Sequence, residues 1–167
     1  MTEHLKEEHT VEGLICWVVT VSDSRDETTD TAGKFIRETL HAANHRVALY
    51  RIIKNNPAHI AEIVTQLKKN PEVHVVIFHG GTGLSQKDQT ARTLKKLYDE
   101  EIDGFGELFR MLSYHEIGPY ALLSRASAGV INKKLVFSLP GSENAVRLAL
   151  EKLILPVMGH AVQQLRK

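Results

Sequence analysis

Within this 167-residue chain, the segment best suited to chemistry is Gly80-Gly81-Thr82-Gly83. It follows the apolar run Val73-His74-Val75-Val76-Ile77-Phe78-His79 and precedes a helical pattern. Its backbone N–H groups therefore stand open to an anion without Cβ interference, which suits a phosphate. A tight strand-to-helix turn would use the same glycines for their dihedrals alone, and an isolated glycine cluster does not separate the two readings. Two nucleotide motifs fail on spacing. A P-loop requires Gly-Lys-Ser/Thr where this chain reads Gln86-Lys87-Asp88, and a dinucleotide fingerprint starting at Gly81-Thr82-Gly83 requires a small residue where Gln86 stands.

Asp88 lies just beyond the loop, at the expected start of a helix. There a carboxylate either caps N–H groups or holds a divalent ion beside a bound phosphate, and spacing alone favours capping. Ser138-Leu139-Pro140-Gly141-Ser142 supplies a second helix N-terminus with Ser142 as its expected N-cap, hence a second anion position whose default role is again capping. A third polar loop, Ser22-Asp23-Ser24-Arg25-Asp26, follows an early apolar run. Of nine histidines, only His41 and His45 have a spacing that suggests a metal, and Asn44 argues that the helix has ended before His45. The single Cys16 sits in an apolar run, where a thiol behaves as a small hydrophobe, and it has no partner for a disulfide within the chain.

These loops need elements to aim them. Leu14 to Val21 is almost continuously apolar and β-branched, the pattern of a strand covered on both faces. From Asp30, an expected N-cap, helical spacing places Ala32, Phe35, Ile36, Thr39 and Leu40 on one stripe. The alternation continues with a strand over Arg46 to Ile53, a helix over Pro57 to Lys68 and a strand over Val73 to Phe78. Helical stretches follow near Thr90 to Tyr98 and Gly106 to Glu116, then a strand over Lys134 to Leu139 and a helix over Ser142 to Leu155, with Pro156 expected to break it. Such alternation predicts a three-layer α/β fold, a mostly parallel sheet with helices on both faces, and it places the three polar loops on one rim beyond the carboxyl ends of the strands.

Composition bounds the rest. The length fits one domain, here read as residues 14–167, preceded by an arm over 1–13 that lacks periodicity. With 43% hydrophobic and 25% charged residues the chain has an ordinary globular balance. A net charge of +1, with no stretch concentrating lysine and arginine, argues against nucleic acid as a partner. No run approaches a membrane span, and the charged, histidine-containing N-terminus does not read as a secretory signal, so a cytoplasmic location is expected.

Taken together, the motifs resemble the molybdenum cofactor biosynthesis family of the bacterial MoaB and MogA proteins, which extends to the pterin-handling domains of a plant homologue and of animal gephyrin. The resemblance is nearest to MoaB and runs from about Ile15 to Met158. It rests on Thr20-Val21-Ser22-Asp23, Asp30-Thr31-Ala32-Gly33, Gly80-Gly81-Thr82-Gly83 with Asp88, Gly104-Phe105-Gly106-Glu107, Ser124-Arg125-Ala126 and Leu139-Pro140-Gly141. The resemblance implies a molybdopterin-binding α/β fold assembled as a homotrimer or homohexamer. It also implies transfer of AMP from ATP to the terminal phosphate of molybdopterin, with Mg2+ and ATP as co-substrate. Joining phosphates calls for charge neutralisation and in-line positioning more than for a covalent nucleophile.

By the same resemblance, Asp88 takes the place of an aspartate at the catalytic magnesium. Ser22, Asp23, Gly80, Gly81, Thr82, Gly83, Ser124, Ser138, Pro140, Gly141 and Ser142 would bind pterin or phosphate. One position departs. Characterised relatives carry an aspartate where this chain reads Asn55, a second catalytic place, and an amide brings no negative charge to a metal. The implied enzyme therefore stands beside an alternative, a pterin-binding or delivery module without efficient catalysis.

Overall fold

The computed structural model describes residues 11–167. The chain alternates β1 (Ile15–Val21), α1 (Thr31–Ala42), β2 (Arg46–Ile53), α2 (Pro57–Lys68), β3 (Val75–His79) and α3 (Thr90–Leu97). It continues with β4 (Glu100–Glu101), α4 (Asp103–Ile117), a 3-10 turn over Gly118–Leu123, β5 (Ser127–Ile131), β6 (Lys134–Leu139), α5 (Glu143–Ala149), a π-helical turn over Leu150–Ile154 and α6 (Leu155–Arg166). The six strands lie in the order β2-β1-β3-β6-β5-β4. β1 pairs in parallel with β2 and β3, and β3 with β6, while β5 pairs antiparallel with both β6 and β4.

The expected α/β architecture is present, a mixed sheet with a parallel core and helices on both faces. Alternation along the strands divides the core. Val18, Ile77 and Phe137 face α1, α4, α5 and α6, whereas Val19, Val76 and Val136 face α2 and α3. Both sets are fully or almost fully buried, which is why β1 and β3 read as continuous apolar runs. Strand order reverses between β1 and β3, so a crevice opens beyond their carboxyl ends, the usual ligand position of such sheets.

Side-chain capping explains the starts of α1, α2 and α5. Asp30 accepts from Gly33 N–H to begin α1, Asn56 accepts from Ala58 N–H to begin α2 with Pro57 in the first turn, and Ser142 accepts from Ala145 N–H to begin α5.

Pro156 does not break the last helix. The π turn closes with Leu155 N–H donating to Leu150 O, and Pro156 follows in the first turn of α6, where its missing N–H is tolerated. The stripe Leu150, Ile154, Met158 and Val162 stays buried across the junction. Of the arm expected over 1–13, residues 1–10 lie outside the described residues. Gly13 N–H donates to Asn44 O at 2.8 Å, and Val11 packs on the core beside Gly159.

Candidate functional site

A cleft of about 530 Å³ opens at the crevice between β1 and β3. Its floor is backbone. Gly80 has φ +92°, and a Cβ there would lie 2.3 Å from Val21 O, so a side chain is excluded both by conformation and by space. Gly81 has φ +71°, with a would-be Cβ 2.3 Å from Thr90 Oγ1. The β6–α5 turn comes close from the other side, since a Cβ on Gly141 would be 3.4 Å from Gly80 Cα.

Side chains tie the loops to one another. Arg125 donates from Nε (3.1 Å) and Nη2 (2.5 Å) to Gly83 O, and its N–H donates to Thr82 O at 3.2 Å. Asn55 N–H donates to Asp23 Oδ1 at 3.0 Å, Lys54 Nζ to Asp23 O at 3.0 Å, and Gln89 N–H to Asn55 Oδ1 at 2.9 Å. The start of α3 is thus held by Asn55, not by Asp88. Asp88 Oδ2 accepts from Ser85 N–H at 3.1 Å, closing the turn before α3, and this replaces the expected helix-capping role. Its Oδ1 has no hydrogen bond among the described residues, and the half-buried carboxylate borders the cleft.

Most of the residues singled out from the sequence meet here. Ser22, Asp23, Asn55, Gly80, Gly81, Thr82, Gly83, Asp88, Ser124, Pro140, Gly141 and Ser142 all line the cleft. Ser22 Oγ also accepts from Arg25 N–H at 3.0 Å, so it shapes its own turn. Ser138 does not line the cleft. It lies inside β6, fully buried, because strand alternation turns it to the side of Val136, and its hydroxyl has no partner among the described residues.

Other lining residues were not expected. Phe109, Ser113 and Ile117 form the wall from α4, spaced four apart in a pattern indistinguishable from a core stripe. Arg25 is the one cation among the described lining residues, within a loop whose polar character was its only signal. It shares the cleft with two carboxylates, Asp23 and Asp88.

Among the described residues no three histidines, cysteines or carboxylates converge as a metal site. His45 Nδ1 accepts from Leu14 N–H at 3.3 Å, so its ring is committed to the backbone. Cys16 is fully buried, and burial pushes its thiol up to about 12, which leaves it in the core and not in nucleophilic chemistry.

Residues 17–160 match the family model described as a probable molybdopterin binding domain. The chain belongs to the MoaB family of molybdenum cofactor biosynthesis proteins. It is 46% identical to molybdenum cofactor biosynthesis protein B of Bacillus cereus, over 100% of this chain and 98% of that protein. A crystal structure of a molybdenum cofactor biosynthesis protein B superposes with a TM-score of 0.89 at 47% identity, covering 93% of this chain and 97% of the other. The tungsten cofactor synthesizing protein MoaB from Pyrococcus furiosus superposes with a TM-score of 0.83 at 34% identity, covering 94% and 99%. The span matched by that domain model, residues 17–160, includes every loop of the cleft. No helix among the described residues is long and apolar enough to cross a membrane.

Proposed function

We propose that this chain binds molybdopterin in the switch-point cleft and transfers AMP from Mg-ATP to its terminal phosphate. The observation that carries this reading is the free Asp88 Oδ1 beside a glycine floor that presents backbone to the cleft. An oxygen of the pterin phosphate attacks the α-phosphorus of ATP, a phosphoanhydride bond forms, and the bond to the leaving pyrophosphate breaks. The glycine floor and the Gly141 turn would hold phosphate oxygens without steric hindrance, and Ser124 and Thr82 border the same space with hydroxyls.

Magnesium binding fits the donors present. That ion is commonly held by one or two carboxylates together with substrate phosphates and water, and Asp88 offers one uncommitted carboxylate oxygen in the cleft. When bound there it would supply neutralisation of phosphate charge. The chain's own part is positioning, through loops hydrogen-bonded to one another.

A second reading, a pterin-binding or delivery module, is favoured by Asn55. Its amide carries no charge, and its Oδ1 is already occupied by Gln89 N–H. Assembly as a homotrimer or homohexamer is supported by exposed apolar side chains grouped on α4 and the following 3-10 turn, including Leu108, Met111, Tyr114, Tyr120 and Leu122. The proposed workplace is the cytoplasm.

Incubation with molybdopterin, magnesium and ATP, followed by mass-resolved chromatography, tests the enzyme. Adenylylated pterin that disappears in Asp88→Ala supports it. Bound pterin without product supports the delivery module, and absence of pterin binding overturns both.

A further inference from the structure

Beneath the glycine floor, the face of the sheet that packs on α1 holds a group of polar side chains in otherwise apolar surroundings. His79 ends β3, Thr20 stands beside it on β1, Asp30 caps α1, and Tyr50 reaches in from β2. Thr20, His79 and Asp30 are at most 1% exposed. Thr20 Oγ1 lies 2.5 Å from Asp30 Oδ2 and 2.6 Å from His79 Nε2, and Tyr50 OH donates to Asp30 Oδ2 at 2.6 Å.

The order of donors follows from counting hydrogens. A carboxylate only accepts, so the one hydroxyl hydrogen of Thr20 goes to Asp30, and Thr20 must accept from His79. The imidazole proton is thereby fixed on Nε2, and His79 Nδ1 is left without a partner among the described residues. Capping α1 requires one acceptor, and Asp30 Oδ1 meets it by accepting from Gly33 N–H at 3.0 Å. The chain that runs from His79 through Thr20, and the bond from Tyr50, act on the other oxygen and exceed what the cap needs.

Arg25 stands on the cleft side of this cluster. Its Nη1 is 4.0 Å from Asp30 Oδ1 and donates to Gly141 O at 2.9 Å. An unrestrained aspartate at that range closes on a guanidinium as a two-pronged pair. Held on Oδ2 from two sides, Asp30 stays back, and the remaining guanidinium hydrogens are left for the cleft.

We propose that Arg25 is the contact for a phosphate group of the ligand, and that His79 is a positioning residue that aims Arg25 through Thr20 and Asp30. This rests on the reading of the cleft as a phosphate-binding site. Replacing His79 by leucine frees Thr20 and lets Asp30 draw Arg25 away from the ligand.

Titration calorimetry with inorganic pyrophosphate and magnesium, alongside molybdopterin binding, tests both parts. Arg25→Ala is expected to weaken pyrophosphate about tenfold and His79→Leu about fivefold, with the double variant no weaker than Arg25→Ala alone. His79→Gln, which keeps an N–H donor toward Thr20, should restore most of the affinity lost in His79→Leu. If His79→Leu does not fold, Tyr50→Phe should show a smaller loss with the same dependence on Arg25. Pyrophosphate affinity unchanged in Arg25→Ala, with molybdopterin still bound, would refute the role of Arg25 and leave the cleft's function standing. Losses that add in the double variant would refute positioning by His79. A wild-type protein that binds neither ligand would overturn the phosphate-binding reading itself, and this inference with it.

Discussion

Mild acid should distinguish the wild-type protein from a His79→Gln variant. His79 is fully buried, and burial is the main reason its pKa falls from 6.5 to about 4; Asp30 pulls it upward and Arg25 pushes it further down. In the unfolded chain the same imidazole takes up its proton near 6.5. The stability associated with the neutral ring is therefore complete above that value, lost progressively as pH falls from 6.5 to about 4, and not lost further below. At about 1.4 kcal/mol per pH unit, that interval corresponds to roughly 3 kcal/mol. Urea denaturation at fixed protein concentration, repeated at pH steps across the interval, measures it. Glutamine does not titrate, so the wild-type advantage should shrink by roughly 3 kcal/mol between neutral pH and the lower end of the interval. Contributions from titrating groups remote from His79 cancel in that difference, and Asp30, which interacts with it, is the one carboxylate whose titration changes with the substitution. Two curves that stay parallel throughout would refute the placement of a neutral His79 in the core.

Four further outcomes follow from particular contacts. Asn55→Asp preserves an acceptor for Gln89 N–H while adding a negative charge next to the glycine loop, so adenylylation should rise several-fold; unchanged or lower turnover would remove the charge argument. Gly80→Ala places a methyl 2.3 Å from Val21 O at φ +92° and should cost on the order of 2 kcal/mol or more, read as a lowered Tm; an unchanged Tm would contradict the geometry of the floor. The buried Cys16 should resist a thiol reagent in mildly alkaline buffer until the protein is unfolded, and rapid labelling of the folded form would show that the β1 core opens. Glutamate at both Tyr120 and Leu122 should reduce the assembled mass in sedimentation, whereas a wild-type monomer would remove the assembly reading.

The parallel core was legible because β1 and β3 are buried on both faces, so their sequences are almost continuous apolar runs, interrupted by Thr20 and His79 only near their carboxyl ends, that lead into polar loops. β5 was not. In Ser127-Ala128-Gly129-Val130-Ile131 the first three residues are small, and Gly129 is required because a Cβ would strike the Tyr98 ring at 2.3 Å. The turn that joins β5 to β6 gives no glycine signal either, since Asn132 and Lys133 adopt φ 48° and 59° with ordinary side chains. Pro156 misled because a π turn re-phases the helix before it, a device with no compositional mark. In the cleft, the backbone-built parts were visible as glycine and proline turns. Arg25 and the α4 wall depend on which way a side chain points in three dimensions, and Ser138 shows the converse, a hydroxyl at a strand end that alternation turns into the core.

What unites the cleft is that its loops are anchored to one another more than to the elements they follow. Asp23 is held by Lys54 and Asn55, Asn55 holds the start of α3, Arg125 holds Thr82 and Gly83, and Arg25 holds Gly141. Each tie spans loops from different strands or helices, so the rim is braced by the chain's own hydrogen bonds. Such a rim separates two tasks. In the proposed reading the glycine floor would receive a phosphorylated ligand through backbone alone, and catalysis would then depend on the few charges around it, Asp23, Asp88 and Arg25 on the cleft and none at Asn55. On that proposal the cleft would keep its binding role while turnover is set by one or two side chains, so the charge missing at Asn55, and not the shape of the floor, is the quantity that would divide the enzyme from the delivery module.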